Sequence, residues 1–177
     1  ERVLKELAPK LLELARLADK AGVKHGVIQD KLFLPGFAQL LCVRNAGFFG
    51  RILSVRVDAG SWIFDGTTQE CQRPSWNYRK KDGGGLALDM MAHWRYMIDR
   101  LVSPITAVSA MMETAIPERV DEQGNRYKVD AEDTVYAMLR MKDGAIGQIT
   151  NSWASRPRRA DTMMVHVDGT DGSASAG

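Results

Sequence analysis

The hydrophobic period of this chain changes at Pro104, and that change constrains its fold more than any other feature. Before Pro104 the apolar residues mostly recur at helical spacing. Over 9–21, Leu11, Leu14, Ala15 and Ala18 mark one helix face, widened by Leu12 and Leu17. Pro9 suits a first helical position and Gly22 the position just past the end. Pro35 opens a second helix, with Phe37, Leu40, Leu41 and Val43 on one side and Gly47 ending it. A third helix is expected over 86–101. Two strands interrupt this half. One spans 23–33, weakened by Gly26; the other spans 51–63, where Val55, Val57 and Ala59 alternate with Ser54, Arg56 and Asp58.

Beyond Pro104 the period is two. Strands are expected over 105–114, 134–141, 145–153 and 162–167, with turns at 121–125 and 169–172. Asp143-Gly144 is a strong hairpin signal between two of them. Helices grouped first and strands last predict an α+β fold, a mostly antiparallel open sheet with helices on one face. Ser173-Ala174-Ser175-Ala176-Gly177 follows directly on a turn, where a sheet is expected to continue. The domain is therefore read as truncated at its end.

The 177 residues suffice for one domain with a real core, burying roughly 70% of the surface the unfolded chain exposes. Net charge is +2, from 24 basic and 22 acidic residues, which gives no reason to expect a nucleic-acid or membrane partner. The basic cluster of Arg156, Arg158 and Arg159 reads as a solvated loop. Cys42 and Cys71 form neither a disulfide framework nor a Cys-x-x-Cys pair, so no zinc site is expected and a reducing cytoplasm is the default. No apolar run reaches the roughly 18 residues of a membrane span. No Gly-x-Gly-x-x-Gly follows a strand and no Walker loop occurs, so the chain carries no recognisable nucleotide site.

The most informative segment follows a long aperiodic stretch, 65–82, of the kind that is often functional in compact domains. It ends in Gly83-Gly84-Gly85, which leads into the 86–101 helix. Glycine lets a backbone or ligand approach closely, and a helix start offers free N–H donors. Asp89 and His93 are four apart and share a helix face one turn above the glycines. A carboxylate beside an imidazole orients the ring and raises its basicity, which suits a general base that takes a proton from an alcohol. Two other readings stand beside it: a surface helix pair, and a metal pair whose third ligand the sequence does not identify. In the preceding loop, Trp76 and Arg79 suit a sugar, the indole by stacking and the guanidinium by binding hydroxyls or a carboxylate; core packing of Trp76 is the alternative.

The run GGGLALDMMAHWRYMIDRL, 83–101, resembles the Gly-Gly-Gly-x-x-x-Asp-x-x-x-His segment of the Gfo/Idh/MocA oxidoreductases. LADKAGVKHGVIQDKLFLPGFAQL, 17–40, is similar to that family's crossover helix and first strand of its C-terminal domain. NAGFFGRILSVRVDAG, 45–60, is similar to its Gly-x-x-Gly turn and long strand, and 132–153 and 167–177 resemble its later strands. The resemblance implies that 1–22 is the crossover from a nucleotide-binding (Rossmann) domain absent here, and that 23–177 is the substrate-binding and oligomerisation domain. It implies oxidation or reduction of a sugar, polyol or related small molecule with NAD or NADP in the full-length parent, with no cofactor expected on this chain alone. His93 would be the acid/base, with Asp89 orienting substrate beside it. Lys31 falls where the family often carries a basic residue facing the pocket, and Gly84 and Gly85 would border substrate. The family's Glu-Lys-Pro lysine is not matched: Glu1-Arg2-Val3 falls near that place. Apolar residues on both faces of 134–141 and 145–153, together with the resemblance, predict a homodimer or higher homo-oligomer through the sheet. A non-catalytic oligomerisation module is the competing reading.

Overall fold

The period-two segments pair as strands in the computed structural model, which describes residues 2–62 and 75–177. The readings placed on Glu1, on Cys71 and on 63–74 fall outside these residues, as do the side chains of Arg2 and Val3. The strands are β1 (Ile52–Gly60), β2 (Ile105–Glu113), β3 (Glu118–Val120), β4 (Arg126–Lys128), β5 (Thr134–Met141), β6 (Ile146–Ser152), β7 (Met163–Gly169) and β8 (Ser173–Ala176). Six form one sheet in the order β2-β5-β6-β1-β7-β8, and β3 and β4 form a separate ribbon around the expected turn at 121–125. Every pair in the large sheet is antiparallel except β1 with β6. The expected α+β fold with a mostly antiparallel sheet is the one observed. The parallel pair was not legible, because alternation fixes a strand's faces and not its neighbours.

The first helix, α1 (Arg2–Ala21), starts earlier than expected and holds Pro9 in its interior rather than at its first position. Its end matches the expectation. Gly22 adopts φ +67, its N–H donates to the Asp19 carbonyl, and the Val23 N–H donates to that of Ala18, a Schellman closure. The strand expected over 23–33 does not form. Residues 23–29 carry no regular structure and Asp30–Phe33 is a 3-10 turn. Among the described residues no strand lies alongside to accept their backbone hydrogen bonds, and a strand needs such a ladder. Val27 and Ile28 are 92% and 83% exposed. Among the described residues no helix is long and apolar enough to cross a membrane.

Pro35 opens α2 (Pro35–Asn45), which buries Phe37 and Leu40. The third helix, α3 (Leu86–Leu101), has the bounds its periodicity predicts. It turns Leu86, Trp94, Met97, Ile98 and Leu101 into the core, against Val55, Val57, Val135, Ala137, Leu139 and Ile149 of the sheet. Each such side chain contributes about 1.5–3 kcal/mol when fully buried. The other sheet face exposes Met111, Tyr136, Met138 and Ile146. Among the described residues, helices thus cover one face only.

A buried charge pair fixes the segment that enters α3. Asp133 accepts hydrogen bonds from the Ala115 and Ile116 N–H groups and from Arg119 Nη2 at 3.1 Å. The Arg119 guanidinium stacks on the Tyr78 ring at 4.1 Å, and that ring meets Trp153 edge-on at 5.6 Å. The 3-10 turn Ser75–Tyr78 is thereby tied to the β3 ribbon and to the end of β6.

Candidate active site

The glycines before α3 answer to packing. At Gly84 an added Cβ would collide with the carbonyl oxygens of Trp76 and Asn77. Gly85 has φ +125, and a Cβ there would lie 2.5 Å from Glu132 Oε1. Glu132 occupies the helix start: the Leu86 N–H donates to its carbonyl at 2.9 Å and the Ala87 N–H to its carboxylate at 3.1 Å. The first two donors of the helix are thus taken internally. Trp76 is about half exposed nearby. Arg79 lies 4.9 Å over the Tyr127 ring, with Nη1 3.9 Å from Asp82. Trp76, Arg79, Gly84 and Gly85 therefore gather around the start of the helix, away from His93.

One turn further on, the polar groups are arranged differently. His93 and Asp89 are both half-buried, and the imidazole pairs with groups other than Asp89. His93 Nδ1 lies 2.6 Å from the Tyr96 hydroxyl and 3.6 Å from Asp30 Oδ1. Tyr96 is three residues beyond His93 on the same helix face. Its hydroxyl donates to Asp30 Oδ1 at 3.4 Å and accepts the Lys31 N–H at 3.2 Å. Lys31 Nζ donates to Asp30 Oδ2 at 2.7 Å. That bond, with the charges of Lys31 and His93, holds the Asp30 carboxyl below its usual range. Burial pushes the Tyr96 phenol up, so it stays protonated at neutral pH. The 3-10 turn Asp30–Phe33, where a strand had been expected, is what brings Asp30 and Lys31 to α3.

Lys31 also borders a recess of about 280 Å³ between α3 and the ends of β1, β6 and β7. Met90 and Trp94 form its helix wall, and Gly60, Asn151 and Thr162 line its sheet side. Two of the side chains that line it, 2% and 3% exposed, each carry a buried polar atom with no hydrogen-bond partner, Trp94 Nε1 and Asn151 Nδ2. A buried donor left unsatisfied costs about 1–3 kcal/mol. His93 does not line this recess; it borders a separate cleft with Val27, Ile28 and Gln29. Among the described residues no cluster of three or more His, Cys, Asp or Glu could hold a metal ion.

Sequence reasoning singled out Lys31, Asp89 and His93 in this region and missed Asp30, Tyr96, Trp94 and Asn151. Tyr96 had a signal, its three-residue spacing from His93. Asn151 had one too: it sits between Ile149 and Trp153 on the inward register of β6, where a polar residue interrupts an apolar set. Asp30 had none, because its approach to α3 is a tertiary contact.

Residues 37–175 match the GFO/IDH/MocA C-terminal domain, and the chain belongs to that family. A D-xylose dehydrogenase of Paenarthrobacter nicotinovorans is 46% identical over all of this chain and 47% of its own length. A levoglucosan dehydrogenase of Pseudarthrobacter phenanthrenivorans (strain DSM 18606 / JCM 16027 / LMG 23796 / Sphe3) is 27% identical over 90% of this chain and 46% of its own length. Among solved structures, a levoglucosan dehydrogenase in complex with NADH and L-sorbose superimposes with a TM-score of 0.71 at 30% identity, over 85% of this chain and 40% of that one. The chain thus spans about half the length of the curated relatives it matches.

Proposed function

We propose that this chain is the substrate side of a nicotinamide-dependent sugar or polyol dehydrogenase, with His93 as its acid/base. The observation that carries this reading is the string His93–Tyr96–Asp30. The anionic Asp30 draws the single Tyr96 proton, so the phenol oxygen accepts the hydrogen of His93 Nδ1. Nε2 then keeps its lone pair and can take the proton of a substrate hydroxyl as the alcohol becomes a carbonyl. Asp89, on the same face of α3, is proposed to bind the substrate beside it, and Lys31 to border it. The relatives' names as dehydrogenases favour this reading over the non-catalytic module.

The described residues do not fit a dinucleotide. Parallel pairing is confined to β1 with β6, and no glycine-rich turn joins a strand to a helix as dinucleotide binding requires. The cofactor, NAD or NADP, is therefore proposed for another part of the protein. Residues 1–22 are proposed as the crossover and 23–177 as the substrate domain. The exposed apolar face of the sheet is proposed to join a homodimer or larger homo-oligomer, and the cytoplasm is the proposed compartment. Light scattering over a range of concentrations checks the assembly; a strict monomer at all of them overturns it.

Assay of the full-length protein with D-xylose and levoglucosan, with NAD and NADP in turn, tests the activity by the absorbance of reduced nicotinamide. Absence of turnover with these and with a panel of aldoses and polyols overturns the assignment. Calorimetric titration of the 177-residue chain with NADH is expected to show no saturable binding at micromolar cofactor.

A further inference from the structure

We infer that the recess beside Lys31 seats a distal hydroxyl of the sugar, read by Trp94 Nε1 and the Asn151 amide. This rests on the reading of the chain as the substrate side of a sugar dehydrogenase. The recess holds two polar side chains that are almost wholly buried and unpartnered, and buried polar groups in folded proteins are nearly always satisfied. Their common surroundings combine polar Lys31, Ser61 and Thr162 with apolar Met90 and Trp153. A hydroxyl on a carbon skeleton fits both. It accepts the indole N–H, exchanges a hydrogen bond with the amide, and sets C–H groups against Met90 and the Trp153 ring.

Position connects the recess to the acid/base. Met90, in its wall, is three residues before His93 on α3, about 5–6 Å away between Cβ atoms, a span that one sugar ring bridges. Lys31 stands between the two, lining the recess while holding Asp30 and the Tyr96 oxygen. Small residues make the space: Asn151 lies opposite Ala59 in the register of β1 and β6, and Gly60 follows. A site built to hydrogen-bond one hydroxyl rejects the analogue lacking it, because its own buried donors are then left unpaired.

The test uses the full-length protein in two measurements. First, the Trp94 indole N–H resonance, assigned by its loss in Trp94→Phe, is followed as D-xylose or levoglucosan is added. A saturable shift is expected; a resonance unmoved by either sugar at the highest soluble concentration overturns the inference and shows a recess that holds water only. Second, kcat/KM is compared between the preferred sugar and its monodeoxy counterparts. The intact enzyme is expected to reject one of them by more than about 100-fold, and Asn151→Leu is expected to shrink that ratio at least tenfold by lowering kcat/KM more for the preferred sugar than for the deoxy sugar. Discrimination undiminished in Asn151→Leu at every hydroxyl overturns the inference. The indole resonance decides the recess and turnover decides the dehydrogenase assignment, so the two can fail separately.

Discussion

The first and second turns of α3 have the same local chemistry available and use it in opposite ways. At the start of the first turn the leading polar groups are consumed internally. Glu132 takes the leading N–H donors, and Gly84 and Gly85 exist to admit the Trp76 and Asn77 carbonyls and the Glu132 carboxylate. Around the second turn polar groups are left unpaired: an imidazole with one nitrogen engaged, and an indole N–H with nothing to bind. A glycine-rich helix start is thus no site by itself. Here it is a rigid joint that aims the residues one turn on, and satisfied hydrogen bonds are what make it rigid.

The comparison breaks most visibly at His93. In the full-length enzyme His93→Ala is expected to lower kcat about 100- to 10,000-fold with cofactor affinity nearly unchanged, the usual loss when a general base is removed. Steady-state kinetics check this, and retention of more than about a third of kcat would return His93 to a structural contact. The limb of the pH–rate profile that reports the base should vanish with it. Gly85→Ala should act on folding instead. Its φ of +125 and the 2.5 Å approach to Glu132 predict a loss of about 1–3 kcal/mol, read by chemical denaturation, with far less effect on kcat per folded molecule than at His93. Equal stability with a large kcat loss would mean that the first turn takes part in chemistry.

Two carboxylates sharpen the contrast further. Asp30→Asn is expected to lower kcat about three- to tenfold, a modest effect for a charge about half exposed to solvent. Asp89→Asn is expected to raise KM for the sugar with a smaller change in kcat. The reverse pattern would give Asp89 the orienting role. The smallest effect is on stability against pH. The Lys31 hydrogen bond keeps the Asp30 carboxyl below its ordinary value, so its stabilisation is present above about pH 4 and disappears as pH falls through the lower folded value. The native protein should therefore exceed Asp30→Asn in stability by about 0.5 kcal/mol or less near pH 6 and match it once pH has fallen through the lowered folded value. A gap that widens on acidification would contradict that sign.

Much of the fold was legible because periodicity reports burial directly. The bounds of α3 and β5 and the inward sets Val55, Val57, Ala59 and Val135, Ala137, Leu139 follow from the spacing of apolar residues, and Gly22 and Gly47 follow from the positive φ that closes a helix. The start of α1 was misjudged because Pro9, read as the opening residue, lies inside the helix, a placement that local preference disfavours. The 23–33 strand was misjudged because its alternation needs a neighbouring strand to become structure.

The sequence alone determined the α+β class, the helix that carries Asp89 and His93, the family resemblance and the even charge. Each of these depends on residues close together along the chain, or on their totals. Tertiary structure alone decided that β1 pairs in parallel with β6, that His93 meets Tyr96 and Asp30 rather than Asp89, and that Trp94 and Asn151 share one recess. These are contacts between segments up to about a hundred residues apart. Their geometry depends on how whole elements pack, since a side chain's own spacing fixes the face it occupies and not the neighbour it will find there.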